Sequence, residues 1–169
     1  MITNEDKLKI KKSDTDEMKV VFTAQSKSFF YCRDVICQYV FEQGYIPINP
    51  FRVFGYFLGD RVERDSVRKG NNQLIKMCDE LWVFGSVADG VLFEIASAID
   101  QGKIIRFFSI GTKIEDIKEI CVDDISFEPE VHARQIKKQD IIDFIKQGVA
   151  LQEKEHYTQI SLDDYGFKI

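Results

Sequence analysis

The chain has few of the side chains from which small metal or redox centres are built. Two histidines, His132 and His156, and four cysteines, Cys32, Cys37, Cys78 and Cys121, show no CxxC pairing and no ligand spacing, so no metal site is expected. The same scattered thiols form no disulfide framework and fit a reducing compartment, where each is expected as a small buried hydrophobe. No apolar run approaches the roughly 18 residues of a membrane span, and the opening "MITNEDKLKIKKSDTDEMK" is polar and carries acids, unlike a signal peptide. Positive charge is also short. With 28 acidic against 23 basic residues, a formal charge of −5, the chain lacks the field needed to coat nucleic acid or an anionic membrane. These absences lead to the expectation of a cytoplasmic protein with neither a membrane nor polymeric nucleic acid among its partners.

Apolar residues are plentiful. At 169 residues, 44% hydrophobic and with 14 phenylalanines, the chain can bury one sizeable core. Residues 1–18 read as a polar leader, 19–111 as an α/β core and 112–169 as an extension packing on it. "KVVFTA", "YIPIN", "ELWVFG" and "KIIRFFSIG" are short runs rich in β-branched and aromatic residues, of the kind found in buried strands; Pro47 places the second at an edge or strand end. Between them, "FFYCRDVICQYVFEQG", "DRVERDSVRKGNNQLIKMCD" and "DGVLFEIASAIDQG" carry apolar residues at three- and four-residue spacing, and the first and third stop at glycine. The alternation predicts a Rossmann-like, flavodoxin-like parallel sheet with helices on both faces, whose ligands bind at the carboxyl ends of the strands. "KKQDIIDFIKQGVALQ" is a further helix in the extension, and Trp82, inside a strand run, is expected in the core.

One residue sits oddly in this pattern. Glu94 lies among Val91, Leu92, Phe93, Ile95 and Ala96, about a turn into the helix that follows the third strand. It is either an exposed helical glutamate or a partly desolvated carboxylate facing the ligand edge. In the second case the helix dipole favours the ionised form, Gly90 leaves the approach open, and the group is suited to nucleophilic attack.

The stretch "CDELWVF…DGVLFEIASAIDQGK", with its acid-glycine turn, its glutamate four residues after the glycine and its closing Gly-Lys, resembles the nucleoside 2-deoxyribosyltransferase superfamily. "FEQGYIPINP" is similar to that superfamily's less characterised branch, and the resemblance spans about Lys19 to Ser109. It implies N-glycosidic chemistry on a nucleoside or nucleoside 5′-monophosphate. Glu94 would attack the anomeric carbon, Asp89 would serve the departing base as acid unless it is a plain helix N-cap, and no metal or organic cofactor would take part. It also implies a homo-oligomer with sites completed between subunits. The chain departs from the better-known transferases at Ala88, where they carry an acid, at Asn71, where they carry an aspartate, and at "AQSKS", where they have a glycine-containing loop.

Other residues carry double readings. Asn71 and Asn72 follow Gly70 in a stretch that either breaks the helix or admits a ligand; an asparagine there can bond a base edge or a sugar hydroxyl. Ser26 and Ser28, after the first strand, either cap a helix or hold a phosphate or sugar. Arg61, Arg64 and Arg68 share a helical face that either meets a 5′-phosphate or, paired with Asp60 and Asp65, faces solvent. Three functions follow: a deoxyribosyltransferase-like enzyme, a non-catalytic nucleotide-binding sensor on the same scaffold, and an interaction protein using the aromatic "NPFRVFGYFLG".

Overall fold

Five strands form one sheet in the order β2-β1-β3-β4-β5. The structure is a computed structural model and describes residues 17–55, 61–132 and 137–153, with side chains to Ala150. Most of the polar leader, residues 56–60 of the aromatic segment and the closing "SLDDYGFKI" lie outside the described residues.

Strands β1 (Val20–Gln25), β2 (Ile46–Ile48), β3 (Glu80–Phe84) and β4 (Ile104–Phe108) run parallel, and the two-residue β5 (Glu119–Ile120) returns antiparallel to β4. This is the Rossmann-like α/β fold, with the flavodoxin-like strand order over its parallel part. Pro47 lies on the edge strand, opposite Val21, where a missing N–H costs no ladder bond on the outer side.

Side chains alternate between two cores, as the pleat requires. Trp82, Phe84 and Phe108 point to the face covered by α1 (Arg33–Glu42), whose Ile36 and Val40 meet them. Leu81, Val83, Ile105 and Phe107 point to the other face. That face is covered by α3 (Arg64–Met77), α4 (Asp89–Asp100) and α6 (Lys138–Glu153), with the short α2 (Pro50–Val53) and α5 (Pro129–His132) at the carboxyl edge. Trp82 is fully buried, and its Nε1–H donates to Glu80 Oε2 at 2.8 Å. Both faces of β3 are covered along its whole length, which is why "ELWVF" reads as an unbroken apolar run after its first residue.

Three local expectations are corrected. The helix expected from Phe29 begins as a 3-10 segment over Lys27–Cys32 and turns α-helical only at Arg33, with Phe29 off helical geometry. Gly70-Asn71-Asn72 does not break α3, which runs unbroken over 14 residues. Gly70 admits the ring of Phe54 instead, since a Cβ there would stand 2.9 Å from its Cζ. Cys32 and Cys78 are buried, but Cys121 is exposed, because it lies on the surface turn after β5.

The residues after β4 join the main core. Ile125, Phe127, Val131, Ile141, Phe144 and Ile145 are buried with the α4 side of the sheet, and Gly148 lets α6 approach Ile99 closely. The segment 126–128 bonds to the loop after β3 through Val87 N–H to Ser126 O at 2.8 Å and Glu128 N–H to Val87 O at 2.9 Å. Among the described residues, no helix is long and apolar enough to cross a membrane.

Gly85 ends β3 with φ of 77°, and a Cβ there would lie 2.7 Å from Ile110 Cγ2 and 3.3 Å from the Phe29 ring. Backbone conformation and packing therefore both demand glycine. Gly85→Ala should lower stability by about 2 to 3 kcal/mol in urea titrations. A loss under about 0.5 kcal/mol would show that the loop relaxes freely.

Candidate functional site

Strands β1 and β3 lie side by side but send their chains in opposite directions, β1 toward β2 and β3 toward β4, over opposite faces. Their loops part at the carboxyl edge, as expected at a topological switch point. A cleft of about 480 Å3 opens there. Its walls come from Gln25–Ser28 after β1, from Pro50, Phe51 and Phe54 after β2, from one face of α3, from the first turns of α4, and from Glu128 and Glu130.

Arg64, Arg68, Asn71 and Asn72 fall at i, i+4, i+7 and i+8 on α3, one stripe of a helix, and all four line the cleft. Opposite them, Ala88, Gly90, Val91, Phe93 and Glu94 line it from α4 and its cap. Gly90 meets nothing where a Cβ would stand, so the approach along α4 is open. The structure thus brings together Ser26, Ser28, Arg64, Asn71, Asn72, Gly90 and Glu94. Asp89 stands apart: it is the first residue of α4, its side chain is outside the lining, and the N-cap position belongs to Ala88. Arg61 is exposed and also lies off the cleft.

Glu94 is only 9% exposed, and Asn71 Nδ2 donates to its Oε1 at 2.7 Å. Burial pushes its carboxyl up to about 8, and the Asn71 hydrogen bond pulls only part of the way back. The expectation of an ionised Glu94 is therefore corrected for the unliganded cleft. Glu94 is the sixth residue of α4, and the dipole acts mainly within the first turn, so desolvation wins. Asn71 gives one of its two amide N–H groups to Glu94, and its Oδ1 is buried without a hydrogen-bond partner.

The serine and arginine positions resolve in part. Ser26 is buried and its Oγ accepts the Ser28 N–H at 3.1 Å, a cap on the turn after β1. Ser28 Oγ donates to Glu128 Oε2 at 3.3 Å across the mouth. Arg68 lays its guanidinium 4.2 Å from the centre of the Phe93 ring and bonds Asp65 at 3.3 Å, so much of its charge is already engaged. Arg64 lines the cleft from an exposed position at the start of α3.

Two carboxylates at the mouth were missed by reading the sequence. Glu128 Oε1 accepts from Ser86 Oγ at 2.9 Å, and Glu130 Oε1 accepts from Asp89 N–H at 3.4 Å at the start of α4. The local signal was only Pro129 between two glutamates, a mark of a helix start. Beneath the floor, Asn49 Nδ2 donates to Thr23 Oγ1 and Gln25 Oε1 at 2.9 and 2.8 Å, and Asn49 Oδ1 accepts the Phe51 N–H. This buried polar knot ties the ends of β1 and β2 and starts α2. Among the described residues, no three His, Cys, Asp or Glu side chains converge as a metal site.

Residues 25–108 match the model of a family described as Domain of unknown function (DUF7768). No curated protein matches the chain. The matched span contains the α3 and α4 walls of the cleft, and Glu128 and Glu130 lie beyond it.

The Glu94 shift has a consequence for stability. In the unfolded chain the carboxyl loses its proton near 4.5, whereas the native state keeps it to about 8. Between those values the native state binds more protons, so stability falls as pH rises. Glu94→Gln keeps shape and removes this slope. Its unfolding free energy should match that of the unchanged protein near pH 5 and exceed it by about 2 to 4 kcal/mol near pH 8.5. Parallel curves for the two proteins in urea titrations across this range would show that Glu94 is solvated.

Proposed function

We propose that the cleft binds a nucleoside or nucleoside 5′-monophosphate and that Glu94 cleaves or exchanges its N-glycosidic bond. The observation that carries this reading is the buried carboxyl of Glu94, held through one oxygen by Asn71 in the wall of a cleft at the sheet's switch point. It agrees with the resemblance of "DGVLFEIASAIDQGK" to the deoxyribosyltransferase superfamily. The aromatic side chains of Phe51, Phe54 and Phe93 in the lining offer faces to a planar base, and Arg64 offers a charge to a 5′-phosphate.

In the reaction, the Glu94 oxygen that Asn71 does not hold forms a bond to the anomeric carbon. The C–N bond breaks, its electron pair goes to the base, and the base takes a proton from water at the mouth of the cleft, since the Asp89 side chain lies off the lining. Water or a second base then attacks the same carbon and frees Glu94. This is double displacement with retention, as in glycosidases that use a carboxylate nucleophile.

A second reading has a specific observation in its favour. With burial pushing its carboxyl up to about 8, Glu94 favours the neutral form at pH 7. A neutral carboxyl donates well to a sugar oxygen, which suits a sensor that binds a nucleotide and turns nothing over.

A panel of nucleosides and monophosphates, with and without a second base, followed by chromatography, separates the two. The enzyme releases base, and kcat/KM rises about tenfold per pH unit below about 8 before levelling. Asn71→Ala removes a bond that favours the carboxylate, so this limb should move to higher pH as the rate falls. A 2-fluoro-arabino nucleoside with a reactive base should leave one fluorosugar on Glu94, found by peptide mass mapping, and none on Glu94→Gln. Binding without base release at any pH would favour the sensor, and base release without an adduct would mean that water attacks directly.

A further inference from the structure

The loops after β1 and β3 meet at a single side chain from the distant part of the chain. Glu128 is fixed by the backbone bonds between Val87 and residues 126 and 128, and by the buried Phe127 beside it. Its Oε1 accepts from Ser86 Oγ at 2.9 Å and its Oε2 from Ser28 Oγ at 3.3 Å. One hydroxyl on each oxygen is also the arrangement in which a carboxylate receives a vicinal diol. The Ser28 bond is long for a hydroxyl on a carboxylate, so exchanging it for a ligand hydroxyl loses little. Glu128 also lines the cleft that holds Glu94.

We infer that Glu128 reads the sugar by accepting the 2′- and 3′-hydroxyls of a ribose, so that the cleft takes a ribonucleoside in preference to its 2′-deoxy counterpart. The inference rests on the nucleoside reading above and narrows its sugar. The reason is chemical: each carboxylate oxygen can accept a second hydrogen bond, and a bond to a charged acceptor is among the stronger kinds. A sugar lacking one hydroxyl leaves one oxygen to its serine or to water.

The test is calorimetric titration of the full chain with adenosine, 2′-deoxyadenosine and 3′-deoxyadenosine, with the uridine series as a second base, and with free D-ribose and 2-deoxy-D-ribose. The unchanged protein should bind each ribonucleoside at least about tenfold more tightly than either deoxy form. In Glu128→Gln the preference should fall to within about threefold, and Glu128→Asp, with its charge drawn back by one methylene, should lie between. Because the ribose-to-deoxyribose ratio is read first on the unchanged protein, a variant that fails to fold does not obscure the answer. Equal affinity for the two sugars, or a preference that survives both substitutions in folded variants, overturns the inference and leaves the nucleoside reading intact. If no nucleoside binds but D-ribose binds above 2-deoxy-D-ribose and Glu128→Gln erases that preference, Glu128 reads a free sugar and the nucleoside reading falls. If neither nucleosides nor sugars bind, both fall.

Discussion

The parallel pairing of β1 with β3 is the constraint on which the rest of the structure depends. Gln25 sits opposite Phe84 at the end of the shared ladder, so both strands stop at the same level. Their successors then leave for opposite faces of the sheet, and no backbone crosses the gap between them. The cleft is the space that this divergence opens. Its floor would expose polar groups at the ends of β1 and β2, and the bonds from Asn49 to Thr23 and Gln25 satisfy them.

Within that space, the ionisation of Glu94 is decided by a contest that burial wins. Three influences bear on the carboxyl: the dipole of α4, the hydrogen bond from Asn71 and removal from water. The first fades beyond the opening turn and the second is one neutral donor, whereas the third acts on the whole charge. Any chemistry at Glu94 must therefore begin from a minority ionised form or be triggered by a ligand that favours it. The close fit of α3 against α4 creates this environment, and Gly70, by admitting Phe54, helps α2 close over the same wall.

The charge layout around the cleft is two-sided. Arginines stand on α3, one of them stacked on Phe93, while carboxylates gather at the mouth, where Glu130 faces the start of α4 and Glu128 bridges two loops. In many folds of this architecture the helix start at the switch point receives a phosphate. Here a carboxylate from residues after the fifth strand occupies that place, so those residues alter the site as well as completing the core.

By itself the sequence determined the alternation of strands and helices, the buried central strands, the edge position of Pro47 and the placement of Glu94 on a helix at the ligand edge. Each of these rests on periodicity or on local backbone chemistry, which neighbouring residues report. It also marked Ser26, Ser28, Arg64, Asn71, Asn72 and Gly90, which the fold gathers along one cleft. Only the tertiary structure decided that Asn71 holds Glu94, that α3 passes Gly70 unbroken, that Asp89 lies off the lining, and that Glu128 and Glu130 close the mouth. Those outcomes depend on contacts between residues 16 to 100 positions apart and on exclusion of water from a carboxyl, and neither long-range contact nor desolvation leaves a periodic trace in the chain.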